Sequence, residues 1–174
     1  MFFGCESGEF FCLDFSGSLK WRFRSKRAMT SSPAMGNGIV VVGSTDYNVY
    51  ALDANTGWAV WKTRTQKPVV SSPALTDKAA FIGSADGSLY SLDLRSGKLL
   101  WKFDTGDQVA SSPAVYKSGV YFGSVDGFVY CVDIITGKLR GKFKTDGAVI
   151  SSPAVADDVV YIGSTDHKLY ALTA

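Results

Sequence analysis

Ser-Ser-Pro-Ala stands at residues 31–34, 71–74, 111–114 and 151–154, an interval of forty residues each time. A chain that repeats at one fixed interval of roughly 20–50 residues has few ways to fold: a solenoid, a propeller or another array of like units. The interval does not choose among these. The content of one unit does.

Residues 71–110 show that content. After "SSPAL" come three apolar runs, "KAAFIGS", "LYSLD" and "KLLWKFDT", separated by the turns "ADGS" and "LRSG". Each run is short, rich in β-branched and aromatic types, and bounded by Gly, Ser, Asp or Pro, which is the punctuation of strands. No ten-residue stretch carries a helical period. The unit is therefore four short antiparallel strands, A to D. The turns have physical causes. Asp86-Gly87 and Asp126-Gly127 between B and C suit tight hairpins, because glycine accepts positive φ and aspartate bonds its own backbone. Asp46-Tyr47 and Asp166-His167 depart from this and require a bulky residue in the left-handed region. Asp53, Asp93 and Asp133 precede the C–D turns Thr56-Gly57, Ser96-Gly97 and Thr136-Gly137 and are expected to anchor them. Pro33, Pro73, Pro113 and Pro153 sit at the start of strand A, where a missing N–H does least harm.

Runs such as "VYFGS", "AAFIG" and "VVYIGS" are apolar on both faces, whereas a sheet with one wet face alternates apolar with polar. Both faces must be covered. Blades sandwiched between neighbours meet that demand, and four strands in about forty residues fit a propeller. The fold class is all-β: a β-propeller of four-stranded antiparallel blades, about four to five of them, as one unit over 1–174. Residues 31–70, 71–110 and 111–150 are complete repeats. Residues 1–30 supply strands B, C and D, and residues 151–174 supply A, B and C, eighteen strands in all. Twenty would close a five-bladed ring. The chain is thus an open arc, a ring self-closed through a split blade at 151–155 and 1–30, or one that another copy completes. An arc would leave an apolar face at each end, larger than the few hundred Å² that soluble monomers expose.

The pattern "GSxDGxLYxLDxxTGKxxW" followed by "SSPAV" resembles the repeat of quinoprotein-type propellers, the PQQ-like repeats, over the whole chain. In that family the strand-D tryptophan docks one blade on the next. Here Trp21, Trp61 and Trp101 hold that position and Gly141 fills it in the fourth repeat, so a looser blade contact is expected there. The resemblance suggests comparison with propeller lipoproteins of outer-membrane assembly and with sensor domains attached to kinases. It also implies, for the quinone-dependent dehydrogenases, pyrroloquinoline quinone and a calcium ion held by Glu, Asn and Asp, often beside adjacent cysteines. This chain has no Cys-Cys pair, and its only glutamates are Glu6 and Glu9.

Chemistry is sparse. Eight of the sixteen acidic residues have repeat-wide addresses: Asp46, Asp86, Asp126 and Asp166 at the B–C turn, and Asp14, Asp53, Asp93 and Asp133 at the end of strand C. His167, the one histidine, sits at a hairpin tip, so no metal cluster and no Ser-His-Asp set can be assembled around it. Cys5, Cys12 and Cys131 form no C-x-x-C pair and occupy positions held elsewhere by Ser or Ala, which reads as a small residue at a small site. With 46% hydrophobic and 20% charged residues the chain is globular, and a net charge of +2 gives no reason to invoke nucleic acid. No apolar run approaches the ~18 residues of a spanning helix, and the first residues lack a signal peptide's basic and apolar regions. Periplasm and cytoplasm both stay open.

One asymmetry marks a candidate site. The D–A loops of the first two repeats are basic, with Arg24, Lys26 and Arg27, then Arg64 and Lys67. The next two carry Asp104 and Asp107, then Lys144 and Asp146. Sharing one rim, these loops make it electrically lopsided and able to steer a polar partner. Trp58, where other repeats have Lys98 and Lys138, is an aromatic for a partner surface or for packing over a neighbouring loop. The reading is a non-catalytic scaffold binding a protein or ligand through loops on one face, with no cofactor, and with a protein partner or another copy closing the ring. The alternative is a fragment of a pyrroloquinoline-quinone-dependent dehydrogenase.

Overall fold

Strands with two apolar faces need cover on both sides, and the computed structural model, which describes residues 1–174, supplies it by stacking five antiparallel sheets. The eighteen expected strands are present and there is no helix. The first sheet holds β1 (Phe2–Gly4), β2 (Glu9–Leu13) and β3 (Leu19–Arg24). The second holds β4 (Ala34–Gly36), β5 (Ile39–Ser44), β6 (Asn48–Asp53) and β7 (Ala59–Arg64). The third holds β8 (Ala74–Leu75), β9 (Ala79–Gly83), β10 (Ser88–Asp93) and β11 (Leu99–Asp104). The fourth holds β12 (Ala114–Tyr116), β13 (Gly119–Gly123), β14 (Phe128–Asp133) and β15 (Leu139–Lys144). The fifth holds β16 (Ala154–Ala156), β17 (Val159–Gly163) and β18 (Leu169–Thr173). Strands pair in chain order. The β16 strand pairs with β17 and not with the strands of residues 1–30, so the split blade that would close a five-bladed ring is not formed.

Successive side chains on a strand point to opposite faces, and the core is divided accordingly. Val40 and Val42 join Phe10 and Trp21 of the first sheet and Met29 of the loop that follows it, whereas Val41 joins Ala80, Ile82 and Leu92 of the third. Phe81 and Leu89 face the other way, toward Val120 and Phe122 of the fourth. The contact between the fourth and fifth sheets is thin, its core cluster being Val129, Val149 and Ile162. The two outermost faces are bare. Phe3 and Phe11 pair on one, with ring centroids 5.4 Å apart. Leu169, 74% exposed, and Tyr161 lie on the other.

Tryptophan fastens sheet to sheet. The indole Nε1 of Trp21, Trp61 and Trp101 donates to the carbonyls of Ala54, Leu94 and Ile134 in the next sheet, at 3.1, 2.8 and 3.1 Å. Each ring abuts that sheet's C–D turn glycine: a Cβ on Gly57, Gly97 or Gly137 would fall 2.6 Å from ring carbons, and their positive φ already excludes most side chains. Opposite each tryptophan in the ladder stands a small residue, Cys12, Ala51 or Ser91, next to a recurring bulge. Cys12 is therefore the small residue beneath a ring.

The Ser-Ser-Pro-Ala repeat is a second fastening, nearer the axis. The first serine's Oγ accepts from a strand-B glycine of its own sheet: Gly43 to Ser31, Gly83 to Ser71, Gly123 to Ser111 and Gly163 to Ser151, at 2.9–3.2 Å. The second serine reaches across sheets. The Ser32 N–H donates to Ser72 Oγ, Ser72 N–H to Ser112 Oγ and Ser112 N–H to Ser152 Oγ, at 2.9, 2.8 and 3.1 Å. The period of forty residues is thus the step of a hydrogen-bonded ladder.

Deleting a buried indole forfeits its contacts and leaves a void, at a cost of ~3–5 kcal/mol, whereas an exposed aromatic far from such features matters by about 0.5 kcal/mol or less. Urea denaturation followed by circular dichroism is expected to place Trp61→Ala in the first class and Trp58→Ala, 78% exposed in the parent, in the second.

Candidate partner-binding rim

In a four-stranded antiparallel sheet successive connections alternate between two edges. The D–A loops and B–C turns therefore share one rim, and hydrogen bonds lace them together. Ser25 N–H donates to Gly8 O, the B–C turn of its own sheet, and Thr45 N–H of the next sheet donates to Ala28 O. The repeat aspartates complete the lacing. Asp46 Oδ2 accepts from the Tyr50 hydroxyl at 2.7 Å and from the Lys26 N–H at 3.1 Å. Asp86, Asp126 and Asp166 do the same with Tyr90, Tyr130 and Tyr170 and with the N–H groups of Gln66, Gly106 and Asp146. These carboxylates are structural: each holds a turn, a tyrosine and the incoming loop. Asp53, Asp93 and Asp133 anchor the C–D turns as expected, accepting from Thr56, Ser96 and Thr136.

On that frame the first two D–A loops display their cations. Arg24 ends β3 opposite Glu9 in the ladder, and its side chain is exposed, as are those of Lys26, Arg27, Arg64 and Lys67. None of the five makes an ion pair. Arg27 and Arg64 converge on the ring of Tyr47, their guanidinium carbons 5.9 and 5.8 Å from its centroid. Tyr47 adopts φ 73°, and His167 φ 69°, as their slots demand. Tyr47 thus joins cations from two consecutive loops into one cluster, a role that its place at a turn tip did not announce. The residue-type signal was its departure from Asp-Gly.

Lys67 and Asp107 line one shallow groove of about 160 Å³ with Gly87, Thr105 and Gln108, so the structure brings these two sites together. Farther round, charges are tied down: Lys102 with Asp104 at 2.9 Å and Lys168 with Asp146 at 2.7 Å. Trp58 does not belong to this rim. It lies in a C–D turn beside Asp53 and Thr56, on the opposite edge, because C–D turns meet A–B turns there: Ala54 N–H donates to Gly38 O at 2.9 Å.

A calcium–quinone pair would need oxygen ligands that converge. No three His, Cys, Asp or Glu side chains come together to hold a metal ion. Glu9 faces Arg22 at 3.9 Å.

Burial raises the Asp46 carboxyl, but the Tyr50 hydroxyl, Asn48 and the Lys26 N–H outweigh it and hold the group below the usual carboxylate range. Burial, then the adjoining carboxylate, drives the Tyr50 and Tyr90 hydroxyls well above their ordinary value. A depressed carboxyl adds stability in full above its unfolded value, about 4, and loses it as pH falls through the folded value. A raised phenol adds stability in full below its unfolded value, about 10, and loses it above. Denaturation midpoints are expected to be flat near neutrality and to fall on both sides, with Asp46→Asn shrinking the acid loss and Tyr50→Phe the alkaline loss.

The sequence model of a family described as "Outer membrane protein assembly factor BamB" matches residues 7–142 and 85–174. The outer membrane protein assembly factor BamB of Bordetella pertussis is 40% identical over 50 residues, which are 29% of this chain and 13% of that protein. Among solved structures, BamB from Moraxella catarrhalis superposes with a TM-score of 0.88 at 21% identity, over 99% of this chain and 54% of that one. The computationally designed protein Ika8 gives 0.90 at 21% identity over 99% and 55%, and the designed Ika4 gives 0.78 at 23% over 86% and 92%. These structural likenesses speak to the fold. The chain spans about half the length of the solved BamB it matches.

Proposed function

The chain belongs to the PQQ-type repeat family described as outer membrane protein assembly factor BamB, and on that footing we propose that it is a non-catalytic propeller scaffold that binds a protein through its D–A rim. The observation that carries this reading is the run of five unpaired cations, with Arg27 and Arg64 gathered on Tyr47. Cations already organised around an aromatic ring are spared part of the ordering cost of binding, and arginine and tyrosine are favoured anchors at interfaces. The partner they suit is an acidic protein segment. The relatives' description favours the periplasmic side of an outer membrane over the cytoplasm, and assembly of outer membrane proteins as the process served.

The bare faces at either end of the arc belong to the same reading. Phe3 and Phe11 on one, and Tyr161 and Leu169 on the other, are surfaces of the kind each inner sheet buries against its neighbour. More blades, from a longer polypeptide or from another copy, cover them in the working form. The copy reading predicts a light-scattering mass of a discrete multiple of 18.7 kDa.

Surface plasmon resonance with the immobilised chain tests the rim. An Asp/Glu-rich peptide is expected to bind, to weaken with added salt as screened charges do, and to lose about tenfold or more in affinity with Arg27→Glu/Arg64→Glu. Trp58→Ala, on the opposite edge, is expected to leave binding unchanged. Equal binding of a Lys-rich peptide, or indifference to the charge reversal, contradicts the proposal. So does pyrroloquinoline quinone whose absorbance stays with the protein after desalting in calcium.

A further inference from the structure

Three strand-D positions carry an indole, and the fourth has an address for one without the side chain. Gly141 lies opposite Cys131 in the ladder, as Trp61 lies opposite Ala51, beside the same bulge. Apart from its own chain neighbours, no atom comes within 4 Å of where its Cβ would stand. The acceptor position is in place as well. Ala174, 33 residues on, donates its N–H to Asp158 O at 2.8 Å, as Ala54, Leu94 and Ile134 donate to Gly38, Lys78 and Ser118 at 2.9–3.0 Å. Those are the residues whose carbonyls receive the three indole N–H groups.

What stands there instead of a ring is an apolar cavity of about 300 Å³, lined by Val129, Cys131, Phe143, Val160 and Leu172. It opens onto a second hollow of about 340 Å³ that includes Arg140 and Ala174. The two share Tyr121, Cys131, Gly141 and Thr173. Burial, and then the Cys131 thiol, push the Tyr121 hydroxyl up to about 12, so it stays a neutral donor at working pH. A flat aromatic ring seated in this cleft removes its apolar lining from water.

We propose that this socket between the fourth and fifth sheets is a binding site for a small indole-type ligand: a flat aromatic ring of tryptophan's size with one ring N–H. The ring takes the place that Trp21, Trp61 and Trp101 fill in the other repeats. Its N–H is directed to a main-chain oxygen of Ala174 and its faces lie between strand D of one sheet and the apolar face of the next. This site lies away from the charged rim, and binding at either is independent of the other.

Isothermal titration calorimetry of the 174-residue chain with indole tests the proposal. Saturable binding of one indole per chain is expected, with a rise in thermal midpoint. 1-Methylindole, which lacks the donor, is expected to bind at least about fivefold more weakly, because one hydrogen bond is lost. Gly141→Trp supplies the ring covalently and is expected to abolish indole binding while raising the thermal midpoint of the free protein. Cys131→Leu, which fills the socket from the facing strand, is expected to abolish binding independently should the tryptophan variant fold poorly. Absence of saturable binding, equal affinity for 1-methylindole, or undiminished indole binding by the filled variants overturns the proposal.

Discussion

Val40 and Val42 pack toward one neighbouring sheet and Val41 toward the other, and the whole architecture depends on that two-sided burial. A sheet of this kind left alone would expose apolar area on both faces, at about 25 cal/mol for each Å². Stacking removes that exposure at every inner face and defers it to the two ends. The directional contacts then fix how the stack is stepped. The indole-to-carbonyl bond sets each sheet against the next at its outer strand, and the serine ladder sets it near the axis. Because the two fastenings recur at the same register, they impose one step on every pair, which is how a forty-residue period becomes an arc.

Where one fastening is missing the structure loosens accordingly. Gly141 in place of tryptophan coincides with the smallest enclosed cluster and with the socket beside it. Function follows the same division of labour. Carboxylates that could suggest catalysis, Asp46 and its repeats, are consumed in holding tyrosines and loops. The chemistry left over is on the rim, in loop side chains that the frame positions but does not use.

Much of this could be read from residues alone, because the devices are local and repeated. Asp-Gly turns, capping aspartates, paired apolar faces and the tryptophan position each have a short-range physical cause, and four copies of a signal average out its noise. The left-handed Tyr47 and His167 followed from slots that glycine fills elsewhere. What escaped was non-local. Serine before proline reads as strand punctuation, and only the spacing of neighbouring sheets shows its hydroxyl receiving an N–H from forty residues away. The convergence of Arg27 and Arg64 on Tyr47 likewise needs the distance between consecutive loops. Trp58 stands on the edge opposite the basic loops, because alternation of connections in an antiparallel sheet sends C–D turns there.

Hydrogen exchange resolved by residue tests the interlocking of sheets most directly. In Trp101→Ala the account predicts that amides of β9 and β10 and of β13 and β14 lose protection together, and that the Ser72 and Ser112 amides of the ladder follow. Loss confined to β11, with β13, β14 and the ladder as slow as in the parent, would show that the sheets fold independently and would contradict it.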